Sequence, residues 1–170
     1  MRRSLFRRSK KGTIAVTLSE DEAALLRSLP AELAPVIGGS PDTDIDVVAR
    51  LFPSAYSDPT EAEAEGEWQR LMHDELVREK LAALEIFTVT LAAADRKRGK
   101  VELELRDDDV AAWLGALNDA RLALGTRLDV TEELDHDIAR LDSDDPYTQA
   151  LAVYLWLGWA QELLLEALAS

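Results

Sequence analysis

Arg121 stands inside LNDARLALGTRL, residues 117–128, where Leu117, Leu124 and Leu128 recur at helical spacing with Leu114 before them. A guanidinium in the middle of an apolar stripe has two readings. In the structural one it is paired with a carboxylate, because an unpaired charge in a core is too costly to persist. An upstream helical run offers Glu75, Glu79 and Glu85 near its apolar side. In the functional one Arg121 lines an anion-binding pocket with Arg127 beside it. Pairing is preferred, since buried charges are usually paired. Arg127 also suits a capping or surface position.

Other chemistry is sparse. His73 lies in MHDEL with no second histidine spaced against it. His136 lies among Glu132, Glu133, Asp135 and Asp137, a set of donors that suits a divalent ion. No standard ligand spacing accompanies it, and the stretch reads as a short solvated helix. The chain has no cysteine, so disulfides, thiolate metal sites and thiol redox switches are excluded from it. No serine carries a nucleophile-elbow motif, and Gly38-Gly39 does not follow a strand as a phosphate loop would. Neighbouring carboxylates are uninformative in so acidic a chain. No catalytic residue, cofactor or metal is therefore assigned, and an enzyme is the least favoured class.

The elements that position these residues can be read in order. GTIAVTL alternates, with Ile14, Val16 and Leu18 on one side, as in a half-buried strand. Ser19 and Glu22 form a capping box for a helix over about 21–29, ended by Pro30. Breakers fill residues 30–59 around a short helix, TDIDVVARLF. Asp58, Pro59 and Glu61 then suit the N-cap, first and third positions of a long helix reaching about Asp95. Arg96, Lys97 and Arg98 complement its C-terminal dipole, and Gly99 stops it. GKVELELRDDDVAAWLGAL, from Gly99, then echoes GTIAVTLSEDEAALLRSL, from Gly12. This is a strand–helix unit used twice. The two strands should pair, in a direction the sequence leaves open. A helix over about 108–124, a short one over 129–142 and a last one from Pro146 follow. The expectation is an α+β fold, predominantly helical, with about six helices and a small two-stranded sheet.

The 47% apolar composition supports a folded chain. We expect a basic N-terminal arm over residues 1–11 and a single mostly helical domain over 12–170. The arm holds Arg2, Arg3, Arg7, Arg8, Lys10 and Lys11 and no acid, so the rest is more acidic than the net −14 of the whole. An acidic body repels the phosphate backbone, which confines any nucleic-acid contact to the arm. A solubilising tail leading into the first strand is the plainer reading of these cations. No signal-peptide pattern is seen. The longest uncharged apolar stretch, ALAVYLWLGWA, is far short of the roughly 20 residues that span a bilayer. A cytoplasmic location without membrane contact is expected. The last helix is apolar nearly all round, so it is the core's central helix or lies partly in a dimer interface. Trp156 and Trp159 near one face would serve either role.

LNDARLALGTRLDV, the preceding RDDDVAAWLGA, the terminal YLWLGWAQELLL and the earlier LFPSAYSDP together resemble the actinobacterial oxidative-stress transcriptional regulator family, long filed as a domain of unknown function. The likeness spans essentially the whole chain. It implies a non-enzymatic cytoplasmic regulator of gene expression under oxidative stress, and it carries no catalytic residues. Contact with proteins of the transcription apparatus is the favoured mode of action, with homodimerisation as a further partner expectation. Direct DNA binding through the arm is the alternative, and a metal protein or enzyme built on His136 the third reading. Thiol oxidation cannot be the sensing chemistry of this cysteine-free chain. No acidic helix here suits a nucleic-acid groove either.

Overall fold

The computed structural model of the protein describes residues 4–55, 58–131 and 142–170. Strand β1 (Phe6–Arg8) and strand β2 (Ile14–Ser19) form a hairpin that leads into helix α1 (Glu20–Ile37). Helix α2 (Ile45–Leu51), a 3-10 turn (Pro59–Glu61) and the long helix α3 (Ala62–Ala92) follow. A second hairpin, β3 (Asp95–Lys97) with β4 (Lys100–Leu105), leads into α4 (Asp107–Arg127), and α5 (Pro146–Ala169) ends the chain.

The sheet is antiparallel throughout, in the order β1-β2-β4-β3. Ile14 faces Leu105, Val16 faces Leu103 and Leu18 faces Val101. Val16 and Leu103 are equivalent positions of the sequence repeat, so the two copies pair about a local two-fold axis. The repeated unit is larger than a strand and a helix: it is a hairpin and a helix. Both copies share the reciprocal half of the cap, in which an acid of the first turn reaches back to the N-cap N–H. The Glu22 carboxylate accepts from the Ser19 N–H at 2.6 Å, and Asp109 accepts from the Arg106 N–H at 3.0 Å.

The chain is α+β, but the expected two-stranded sheet has four strands, and five α-helices rather than six lie among the described residues. The missed strands β1 and β3 are three residues long and largely charged, so they lack the alternation that marks β2 and β4. The cations placed at the end of the long helix belong instead to β3 and its turn. Arg98 (φ 52°) and Gly99 (φ 71°) are both left-handed, as a two-residue hairpin of the primed type requires. The expected helix over 129–142 falls mostly outside the described residues. Asp129 at its start is in a left-handed turn. Pro30 does not end α1, which runs through Pro30 and Pro35 because Leu26, Leu29, Leu33, Val36 and Ile37 continue its buried stripe.

One face of the sheet packs on the helices. Ile14, Val16, Leu18, Val101 and Leu105 are buried there with residues of α1, α3, α4 and α5. Trp113 of α4 is fully buried. Its ring lies 4.8 Å from Phe87 and 6.3 Å edge-on from Phe6, and its Nε1 donates to Thr90 Oγ1 at 2.8 Å.

Leu5 and Phe6 are 1% and 3% exposed, so part of the basic N-terminal segment is core. Phe6→Ala should therefore destabilise the protein by about 3 kcal/mol in urea unfolding. A dispensable arm would give no change.

Candidate protein-interaction site

Helix α5 starts where the sequence places its signals. Asp145 Oδ1 accepts from the Tyr147 N–H at 3.1 Å, and Pro146 occupies the first turn. Leu151, Leu157, Ala160, Leu164 and Ala167 are its buried residues, and it packs on α4 and β1. The Arg8 guanidinium donates to the Leu168 carbonyl at 2.9 Å, placing a cation at the negative end of the helix. By length and composition α5 could cross a membrane, which exceeds the sequence expectation. Its buried side, packed on α4 and β1, is also that of a core helix.

The outward face of α5 is unusual. Leu155, Trp159 and Leu165 are 42%, 40% and 50% exposed, and Glu162 and Glu166 are exposed with them. The two tryptophans part company: Trp156 is half-buried against the core while Trp159 is open. A row of large apolar side chains interleaved with acids has the chemistry of a contact surface for a partner that is apolar and basic.

Arg121 does not make the expected pair. Among the described residues no carboxylate lies within ion-pair distance of it, and Glu75 is engaged by Arg78 instead. The Arg121 guanidinium lies over the Tyr154 ring, 5.5 Å from its centre. Glycines make this stack fit: a Cβ at Gly125 would meet Tyr154 at 2.8 Å, and one at Gly158 would meet Arg121 Nε at 3.4 Å. The aromatic face thus takes the place the carboxylate was expected to fill. Arg127 points elsewhere, to Glu32 on α1 at 3.5 Å.

The buried ion pair is made two residues earlier in the same motif. Lys80 of α3 donates to both carboxylate oxygens of Asp119 at 2.8 and 3.0 Å, with the Asp119 side chain 7% exposed. Burial raises the Asp119 carboxyl above its ordinary value of 3.8, against the lowering effect of Lys80. Desolvation therefore outweighs attraction at this site, and the pair fixes how α3 meets α4 more than it stabilises the fold. The sequence carries a signal for this pair, an aspartate at mid-helix among apolar neighbours.

The remaining candidates are scattered. Arg7 is exposed on β1, and Lys10 and Lys11 are exposed in the turn after it. Arg2, Arg3 and His136 with its acidic neighbours lie outside the described residues. His73 is half-buried with its ring 5.1 Å from Phe52. Among the described residues no group of three metal-ligating side chains is found. Asp58 caps the 3-10 turn, and the Thr60 N–H, followed by the Thr60 hydroxyl, lowers its carboxyl pKa.

A family model described as a domain of unknown function, DUF2017, matches residues 1–168. The oxidative stress regulator AosR of Mycobacterium tuberculosis is 26% identical over 183 residues, covering 89% of this chain and 80% of that protein. The Mycobacterium bovis protein of the same name matches to the same extent. A Mycobacterium leprae relative, also described as an AosR regulator, is 33% identical over 102 residues, and the match spans 59% of this chain and 43% of that protein. No solved structure matches the chain.

Asp119→Ala should cost about 3 kcal/mol by leaving the Lys80 ammonium uncompensated. Joint replacement by Lys80→Met and Asp119→Leu should recover most of it in the same unfolding assay. Because the folded Asp119 holds its proton more tightly than the unfolded one, the folded state binds more protons just above pH 3.8. Wild type should therefore lose stability relative to Asp119→Asn as pH rises through that window. A difference that moves the other way would reverse the assignment.

Proposed function

The chain belongs to the DUF2017 family, and from that premise we propose a regulator of the oxidative-stress response that acts by binding proteins of the transcription apparatus and catalyses no reaction. The relatives' names support the stress-regulatory part of this reading. The single observation that carries the mode of action is the outward face of α5, where Leu155, Trp159 and Leu165 are open to solvent on the same helix as the exposed Glu162 and Glu166. A basic, apolar partner surface would bury the three side chains and meet both carboxylates. Complementary charge then speeds the encounter and sets its register. Self-association through the same face would bring like charges together, so a different protein is the better occupant. With no cysteine in the chain, thiol oxidation is not its sensing chemistry. Such a regulator works in the cytoplasm, beside the polymerase. DNA binding through the N-terminal cations fits less well, since Arg8 is committed to the Leu168 carbonyl.

The test is affinity capture of the full-length chain from nuclease-treated native lysate, run beside a Leu155→Glu, Trp159→Glu variant whose melting temperature is unchanged. A polymerase subunit or sigma factor should appear with wild type and fall at least about tenfold with the variant, a loss of about 1.4 kcal/mol of binding. Equal recovery by both, or no transcription protein with either, would overturn the reading and direct attention to the arm on DNA.

A further inference from the structure

We infer that the cleft lined by Arg121 and Arg50 is a binding site for a small oxyanion, the phosphate or carboxylate group of a ligand distinct from the protein partner. The cleft has a volume of about 440 Å³ and is lined by both arginines together with Thr126, Asp129 and Tyr154. That size lies within the range of small-molecule sites, about 300–1,000 Å³.

Three observations lead to an anion. First, two cations among the described residues are half-buried, Lys80 and Arg121. Lys80 has the Asp119 carboxylate at 2.8 Å, whereas Arg121 has no carboxylate within reach among the described residues. A partly desolvated guanidinium in a protein of net charge −14 would ordinarily have found one. Second, Arg121 is held in place. Tyr154 supports one face of the guanidinium and Gly158 leaves room for its stem. The cation is thus oriented before any ligand arrives, which lowers the ordering cost of binding. Third, Arg50 of α2 brings a second guanidinium to the same cleft. Arginine's planar fork suits bidentate contact with a carboxylate or phosphate. Among the described residues Asp129 is the acid on the cleft wall, which it shares with the two arginines.

The site joins α2, α4 and α5 through Arg50, Arg121 and Tyr154. Occupation would tie the position of α5 to the presence of the ligand, because Arg121 rests on an α5 side chain.

Inorganic phosphate is the probe. Titration into the full-length protein at constant ionic strength, with chloride as control, is followed by amide and arginine Nε resonances in nuclear magnetic resonance spectra. Saturable shifts at Gly125, Thr126 and Arg121 are expected with phosphate and not with chloride. Arg50→Gln, a change at an exposed residue, and Arg121→Gln should each weaken binding about tenfold, while Arg127→Gln leaves it unchanged. Should Arg121→Gln fail to fold, Arg50→Gln decides. Equal shifts with chloride, shifts that do not saturate, or binding that survives Arg50→Gln would overturn the assignment. The α5 surface variant serves as a separating control. It should keep phosphate binding whether or not the partner reading holds.

Discussion

The antiparallel pairing of β2 with β4 is the constraint on which the rest of the molecule depends. Its register puts Ile14, Val16, Leu18, Val101 and Leu105 on one face and sends α1 and α4 off opposite ends of that pair. Each helix must then return across the same apolar surface, because the other face of the sheet carries Thr17, Glu102 and Glu104. The edge strands follow from the same geometry: β1 adds Phe6 to the buried face against Trp113, and β3 adds the backbone pairing that β4 would otherwise lack. A two-stranded ribbon would be marginal alone. Four strands under one helical layer are enough to hold it.

Helix α4 is where the layer is organised, and LNDARLALGTRL is its organising stretch. Asp119 receives Lys80 from α3, Arg127 reaches Glu32 on α1, and Arg121 rests on Tyr154 of α5. Ala120 and Ala123 are buried, and Gly125 gives the Tyr154 ring its place. The three charged residues of the stretch, Asp119, Arg121 and Arg127, each address a different neighbouring helix. Through these contacts the segment that most strongly marks the resemblance sets the relative positions of the helices. Charge pairs of this kind add little net stability.

Much of this was legible beforehand. The capping pair at Ser19 and Glu22, the cap at Asp145 and the strand–helix repeat are local signals that the structure contains, whereas Asp58 caps a 3-10 turn ahead of the long helix and not the long helix itself. The strands β1 and β3 were not legible, because three charged residues carry no period and become strands only when a neighbour offers its free edge. Pro30 misled for a related reason, since tertiary burial of Leu33, Val36 and Ile37 outweighs the lost hydrogen bond within α1. The partner of Arg121 was out of reach for a third reason. Spacing along a chain shows that a cation is buried, but whether a carboxylate or an aromatic ring meets it depends on the rotation of a second helix. The division of α5 into a packed side and an open side was hidden likewise, since leucines and tryptophans lie all round it.

The distribution of charge gives the two sides of the molecule different tasks. Both hairpins are basic: Arg7, Arg8, Lys10 and Lys11 in one, Arg96, Lys97, Arg98 and Lys100 in the other. Because β2 and β4 run antiparallel, the two hairpin turns lie at opposite ends of the sheet, and the edge strands carry cations that deter pairing with another chain. Drawing so many cations into the hairpins leaves the helical layer more acidic than the −14 of the whole chain requires. On that layer the apolar side chains of α5 lie among carboxylates. Of the two half-buried cations among the described residues of that layer, Lys80 has a carboxylate and Arg121 has an aromatic ring. The exposed leucines and Trp159 of α5 therefore stand in an acidic setting, where the positive charge of the proposed partner would count most.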